Sequence, residues 1–320
     1  MAMVFTIGEA LIDWIPAQRG VELKQVDGFT RAAGGAPANV ASAVARLGGS
    51  SAFIGKLGED AFGDFLIETM AAVGVDVSRV LQTKEANTAM AFVSLRADGN
   101  RDFSFYRNPS ADMLLEADEI GDWFSTGDVL HFCSVDLIEA PVKYAHREAI
   151  AKCREAGGII SFDPNVRLPL WTSPEACRRA ILEFLPLAHL VKISDEELAF
   201  ITGIEDEQEA LQALFVGDVR HVIYTRGPAG AMWLTREFQS EVPGYAVKTI
   251  DTTGAGDAFI GALLFGVVQQ REFLQGIPQE TAVRLLAFAN AAAAITTTRA
   301  GAISALPTPQ EVEALLAQSV

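Results

Sequence analysis

The run Asp251-Thr252-Thr253-Gly254-Ala255-Gly256-Asp257 combines residue types suited to handling an anion. Its glycines allow a tight turn whose backbone N–H groups converge. A long apolar helix is expected from Ala258 through Val268, and its N-terminus adds positive potential at the same point. Phosphate is the natural guest. Asp257 cannot itself hold phosphate, because like charges repel. It can take a proton from an incoming hydroxyl, help that is typically worth about 100 to 10,000-fold in rate. The same residues also read as an ordinary capped helix start, where Asp is favoured, and the run alone does not choose. It is not a dinucleotide fingerprint, since Phe259 stands where the last Gly would be. A Walker A loop is absent too: around Gly55-Lys56, Ser50 occupies the first Gly position and Leu57 the Ser/Thr position.

Other polar residues stand at the ends of apolar runs. Glu9 and Asp13 follow the run Val4 to Ile7, and carboxyl groups so placed can hydrogen-bond a ligand. Gly34 and Gly35 let backbone approach a ligand, and Asn39 sits early in an expected helix, where Asn is a mediocre choice without a special role. Asp163 and Arg167 follow another run, and Arg suits planar phosphate contact. Ser194-Asp195-Glu196-Glu197 reads as a helix N-cap with an acidic first turn. The histidines His131, His146, His189 and His221 show no metal-ligand spacing.

These residues need a scaffold. Short apolar runs at Val4–Ile7, Ser51–Ile54, Val129–Phe132, Gly158–Phe162, Leu190–Ile193 and His221–Thr225 read as buried strands. A turn is expected at Gly55–Gly58 and a strand end at Lys248–Ile250. Helical patterns alternate with the strands: Ala36–Leu47, Phe62–Val73, Pro141–Ala156, Glu175–Leu185 and, at the end, Thr308–Gln318. That alternation predicts an α/β fold, a mostly parallel sheet with helices on both faces. Residues 15–31 and 87–107 break the rhythm with alternating patterns, and Asp98-Gly99-Asn100 is a good hairpin turn. They are expected to form a small β lid, or else an antiparallel extension of the main sheet. The core would then comprise residues 1–14, 32–86 and 108–320.

Bulk properties exclude several function classes. A formal net charge of -16 disfavours sequence-independent nucleic-acid binding and anionic membranes. Cys133, Cys153 and Cys177 are far apart and form no Cys-x-x-Cys, which fits a reduced, cytoplasmic compartment. The N-terminus carries no basic n-region or cleavage pattern, so the chain is expected to stay unexported and soluble.

Taken in order, several motifs resemble the ribokinase-like (PfkB) carbohydrate kinase family, and within it the bacterial fructokinase branch. They are Gly34-Gly35-Ala36-Pro37-Ala38-Asn39-Val40-Ala41, Gly55-Lys56-Leu57-Gly58-Glu59-Asp60-Ala61-Phe62-Gly63, Phe105-Tyr106-Arg107-Asn108-Pro109-Ser110-Ala111-Asp112-Met113, Asp251 to Asp257, Asn290 to Ala294, and Arg299-Ala300-Gly301-Ala302. The similarity spans nearly the whole chain. It implies a ribokinase-like core with a β lid, ATP and Mg²⁺, a sugar as acceptor, and a homodimer joined through the lids.

By the same resemblance Asp257 is the catalytic base, the amides of Gly254, Ala255 and Gly256 form an anion hole, and Arg167 lies near the transferring phosphate. Asp13, Gly34, Gly35, Asn39, Arg107, Glu139 and Asp163 face the sugar. Lys192, Ser194, Thr225, Gly227, Gly254, Gly256 and Asn290 form the nucleotide side. Glu197 organises Mg²⁺ through water, with Ser194 in place of the family's Asn. A K⁺ site would use Asp251, Thr253, Thr296, Arg299 and Gly301, with Ala305 where a Ser often completes the set. The resemblance implies phosphorylation of fructose at its 6-hydroxyl. A 2-keto-3-deoxygluconate kinase and a catalytically silent sugar-binding relative are the alternatives.

Overall fold

The structure is a computed structural model that describes residues 2–18, 20–95, 101–270 and 272–318. The hairpin turn expected at Asp98-Gly99-Asn100 lies outside the described residues.

The chain opens with β1 (Val4–Ile7), β2 (Leu11–Pro16), β3 (Phe29–Gly34), α1 (Ala36–Arg46), β4 (Ser51–Gly58), α2 (Ala61–Ala72), β5 (Val80–Thr83), β6 (Met90–Leu95) and β7 (Arg101–Tyr106). Its middle holds β8 (Val129–Cys133), α3 (Pro141–Glu155), β9 (Ile159–Asp163), α4 (Pro174–Phe184), β10 (Leu190–Ser194), α5 (Asp195–Thr202), α6 (Glu207–Ala213) and β11 (His221–Thr225). It closes with β12 (Ala231–Leu234), β13 (Gln239–Val242), α7 (Ala255–Val267), α8 (Gln279–Thr297) and α9 (Pro309–Ala317).

Among the described residues nine strands form the central sheet in the order β13-β12-β11-β10-β9-β8-β1-β4-β5. It is parallel from β11 to β5, and β12 and β13 extend it antiparallel. The central strands are buried on both faces, which is why they read as unbroken apolar runs. One face packs under α3, α4, α5 and α6, and the other under α1, α7, α8 and α9. The chain leaves β1 for β4 on one side and returns later as β8 on the other. A crevice beyond the carboxyl ends of such neighbouring strands is the usual ligand site of an open α/β sheet.

A second sheet has the order β3-β2-β6-β7. Its outer pairs are antiparallel and its central pair, β2 with β6, is parallel. Strands β2 and β3 run past the expected 15–31 segment at both ends, carrying Asp13 and Gly34 with them.

Two local expectations are corrected. Gly55–Gly58 continues β4 instead of turning, because Gly55 to Gly58 pair with Val80 to Thr83 of β5. The Gly55 glycine serves strand packing: a Cβ there would sit 2.8 Å from the Gly8 carbonyl oxygen. Lys248–Ile250 is not a strand. The amides of Ile250 and Asp251 bond instead to the Thr297 carbonyl at the end of α8.

Helix α7 begins at Ala255, earlier than expected, with Gly254 as its N-cap at φ 73°. It is apolar nearly all round because α1 and α8 both cover it. Its Gly261 sits against α1, where a Cβ would lie 2.5 Å from the Ala43 Cβ. Close approach of the two helices follows, and it fixes α1 and α7 side chains relative to one another.

Candidate active site

A cleft of about 770 Å³ opens at the carboxyl ends of the central strands. It is lined by Asp13, Asn39, Arg167, Lys192, Glu197 and Asp257, together with Gly35, Gly254 and Gly256. Residues from β2, α1, the β9 loop, β10, α5 and α7 thus meet in one space.

Asp257 lies in the first turn of α7, and its Oδ2 accepts a hydrogen bond from Asn39 Nδ2 of α1 at 2.8 Å. Burial raises the Asp257 carboxyl above the usual range, opposed by that hydrogen bond and by the charges of Arg167 and Lys192. A carboxyl so poised is a better proton acceptor than a free aspartate once ionised. The first amides of α7 have no partner within the helix itself and point toward its N-terminal side. Gly254 is required there: besides its positive φ, a Cβ would come within 2.9 Å of the Ala302 Cβ.

Asp13 stands on β2 facing this centre. Burial, then the charge of Asp257, pushes its carboxyl up to about 6 despite Arg167. Gly34 leaves room for it, since a Cβ at Gly34 would lie 2.0 Å from Asp13 Oδ2. The neighbouring Gly35 has φ 101°, and a Cβ there would meet the Glu9 carbonyl oxygen at 2.5 Å.

The Asp13 shift has a measurable sign. Between the ordinary aspartate range and about 6 the folded protein holds more protons on this carboxyl than the unfolded chain does. Its ionisation therefore costs stability as pH rises through that window. Relative to wild type, Asp13→Asn should gain about 1–3 kcal/mol in denaturant unfolding between roughly pH 4 and pH 8. A difference that stays constant with pH would contradict this placement of Asp13.

On the opposite side Lys192 Nζ bonds Asp163 Oδ2 at 2.8 Å, and both side chains are buried. Burial raises Asp163 to about 6 although Lys192 opposes it. Glu197 behaves differently. Burial would raise it, but Lys192, the amides of Val166 and Ser194 and the Ser194 hydroxyl together hold it below the usual range. Its Oε1 accepts from Val166 N at 2.7 Å, and Oε2 accepts from Ser194 N at 3.0 Å and Ser194 Oγ at 2.8 Å. Three of its roughly four acceptor positions are thereby used. Among the described residues no group of three or more His, Cys, Asp or Glu side chains could hold a metal ion. An ionised carboxylate with little capacity left fits a metal carried mainly on phosphate and water, as Mg²⁺ is. Arg167 is exposed at the cleft, its Nη1 donating to the Val166 carbonyl at 2.9 Å.

Asp251 ties the Gly254 turn to the loop after α8. Its Oδ1 accepts from Thr253 N at 3.0 Å and Thr253 Oγ1 at 2.7 Å, and its Oδ2 from Gly301 N at 3.1 Å. Thr296 is fully buried, with its hydroxyl donating to the Ala292 carbonyl, and its own carbonyl accepts from Arg299 N. The five residues of the expected K⁺ set therefore lie on two segments that meet. Ala305 is buried beside them and offers no hydroxyl.

Several expected residues stand elsewhere. Arg107 is buried, and its guanidinium is committed to Asp112 and Asp136. It borders a separate cavity of about 570 Å³ rather than the cleft. Glu139 lines that cavity too, with 71% side-chain exposure, and is engaged by Lys143 and Tyr144. A surface carboxylate with two local partners does not face the sugar space. Asn290 is spent on structure: its Nδ2 donates to the carbonyls of Val242 at 3.0 Å and Pro243 at 3.2 Å. Thr225 ends β11 beside Ser194, and Gly227 opens the following turn; neither lines the cleft. Sequence reasoning passed over the Lys192–Asp163 pair, for which a Lys inside the run Leu190-Val191-Lys192-Ile193 was the available signal.

A family model described as pfkB family carbohydrate kinase matches residues 1–309. The chain belongs to the pfkB family of carbohydrate kinases. Among relatives of this pfkB chain, fructokinase-1 of Zea mays is 46% identical over 316 residues, covering 98% of this chain and 97% of the relative. The crystal structure of a fructokinase with bound ATP from Xylella fastidiosa superposes with a TM-score of 0.90 at 36% identity, covering 99% of this chain and 98% of that one. A double-mutant fructokinase from Vibrio cholerae O395, in a form bound to fructose, ADP and potassium ion, gives 0.89 at 38% identity, with 99% and 98% covered. The pfkB fold class expected from the sequence, a mostly parallel α/β core with a small second sheet, is the one found.

Proposed function

We propose that this pfkB chain transfers the γ-phosphoryl group of ATP to the 6-hydroxyl of fructose, giving fructose 6-phosphate and ADP. The observation that carries the reading is the Asn39–Asp257 contact, which joins the sugar-side helix to the phosphate turn across 218 residues of sequence. A hydroxyl held there meets a base on one side and the helix α7 amides on the other.

In the proposed mechanism, Asp13, Asn39 and the backbone at Gly34 and Gly35 hold the sugar. Asp257 takes the proton of the attacking hydroxyl as its oxygen bonds to the γ-phosphorus and the bond to the β-phosphate oxygen breaks. The Gly254, Ala255 and Gly256 amides, Lys192 and Arg167 stabilise charge on the transferring group. Mg²⁺, organised by Glu197 through water, would neutralise charge on the nucleotide phosphates. Potassium at the Asp251, Thr253, Thr296, Arg299 and Gly301 loops would add positive potential beside the α7 N-terminus.

The four-stranded sheet serves as a lid that excludes water, because a base beside a phosphate otherwise promotes ATP hydrolysis. The lid, residues 15–31 and 87–107, and the core, residues 1–14, 32–86 and 108–320, form the proposed division. A homodimer through the lids is supported by the aromatic cluster of Trp14, Phe29, Phe92 and Tyr106, the last 61% exposed. Among the described residues no helix is long and apolar enough to cross a membrane. A cytoplasmic setting is supported by three free, buried cysteines.

The test is ADP formation from Mg-ATP across a panel of sugars. Turnover with fructose and not with 2-keto-3-deoxygluconate is expected. Turnover confined to the acidic sugar would move the assignment to its kinase, and no turnover with any sugar would sink the kinase reading.

A further inference from the structure

Behind the sugar side of the cleft lies a buried group that the mechanism does not use. Glu9 follows β1, Asp136 follows β8, and Arg107 and Asp112 follow β7. They converge at the point where the central sheet reverses its strand order, between β1 and β8. Glu9 is 3% exposed, and the side chains of Arg107, Asp112 and Asp136 are 4%, 1% and 1% exposed. Arg107 bonds both aspartates, and Ser110 Oγ donates to Asp112.

The charges do not balance. Three carboxyls face one guanidinium, so full ionisation would bury two uncompensated negative charges, and proteins avoid this by retaining protons. Two carboxyl oxygens, Glu9 Oε2 and Asp136 Oδ2, are buried without a hydrogen-bond partner. Glu9 Oε1 already accepts from Ala36 N at 3.1 Å. Of the three acids only Glu9 also lines the cleft that holds Asp13 and Asp257.

We propose that Glu9 is a further acceptor-binding residue that presents an uncharged carboxyl group to a sugar hydroxyl, with Asp136 and Arg107 as positioning residues behind it. A hydroxyl both donates and accepts, and a neutral carboxyl does the same, whereas a carboxylate only accepts. The ligand class is a neutral polyol. The proposal rests on the sugar kinase reading above.

Burial, then the charge of Asp136, raises Glu9 well above the usual range, and Arg107 opposes this. Burial raises Asp136 to about 7, with Arg107 lowering it and Asp112 raising it. The charged groups facing the pair are thus Arg107 and Asp112, and Glu9 also acts on the Cys133 thiol at the end of β8. The Glu9 proton is held at low pH and is lost only well above the usual carboxylate range, so acceptor affinity should weaken as pH rises.

The experiment uses the full chain. Fructose binding is followed by calorimetry, and KM and kcat by ADP release, from roughly pH 6 to pH 9. Glu9→Ala should raise Kd and KM for fructose about tenfold or more, with kcat changed by less than about threefold. Glu9→Gln keeps an uncharged donor and acceptor, so it should restore most of that loss at the lower pH and abolish the rise of KM with pH expected of wild type. An alanine variant within about twofold of wild type, or a glutamine variant as impaired as alanine, overturns the proposal. If Glu9→Ala does not fold, the glutamine profile decides alone: a KM rise identical to wild type overturns it. A wild type that binds fructose but does not turn it over fails the kinase reading, and the calorimetric comparison still decides the role of Glu9.

Discussion

Asp257→Asn is expected to lower turnover by about 100 to 10,000-fold while leaving fructose affinity close to wild type. The loss is chemical because the amide keeps the shape of the carboxyl. Asn39 Nδ2 can still donate to its oxygen, so the α1–α7 contact survives. What disappears is the capacity to take a proton. Folding should not confuse the result. The Asp257 carboxyl is raised by burial, so the folded state prefers it protonated and its ionisation costs stability as pH rises above the ordinary aspartate range. An amide carries no such cost, and at neutral pH the variant should unfold at equal or higher denaturant concentration. A variant that is stable, binds fructose and turns over near the normal rate would remove Asp257 from the mechanism.

The second large effect concerns Lys192. Its side chain is 8% exposed and that of Asp163 is 1% exposed, so Lys192→Met leaves a buried carboxylate with no cation. Breaking a buried pair on one side typically costs about 3–5 kcal/mol. Glu197 and Asp257 lose the same neighbour. Denaturant unfolding near neutral pH should register the loss, and turnover should fall with it because the charge proposed to face the phosphate is gone. The deficit should narrow toward acid: Asp163 sits at about 6 even beside Lys192, and protonation removes the stranded charge. Adding Asp163→Asn to Lys192→Met should recover most of the stability and little of the activity. A single variant as stable as wild type near neutral pH would show that the pair carries no such energy.

Much of this was readable before any coordinates, and the failures have physical causes. The Gly254 turn and Asp257 were legible because the chemistry is local: glycines, a helix start and an acid share seven residues. The Lys192–Asp163 pair was not, because its partners are 29 residues apart and meet only through the β9–β10 register. Arg107 was placed at the sugar because it stands in a family motif, yet Asp136, which helps hold it elsewhere, arrives on a different strand connection. Glu139 failed for the opposite reason, since its partners Lys143 and Tyr144 are close in sequence and draw it to the surface. Strands β12 and β13 are four residues each and follow no α-helix, so the alternation that reveals the parallel strands passes them by. At Gly55 to Gly58 the glycines read as a turn signal, whereas at Gly55 the missing side chain permits close contact between strands.

The order in which the chain leaves the ribosome gives the α7–α8 layer a further meaning. Every strand of the central sheet lies before residue 243, but α7 begins only at Ala255. A nascent chain can therefore complete its sheet with one face, including Val4, Ile223 and Trp233, still lacking the α7 and α8 cover. That intermediate has apolar surface to hide and lacks the proposed phosphate chemistry, because neither the Gly254 turn nor Asp257 has emerged. Synthesis of the residues from Ala255 onward closes the core and supplies the proposed base in one step, so a chain cut short before α7 would be both sticky and catalytically inert.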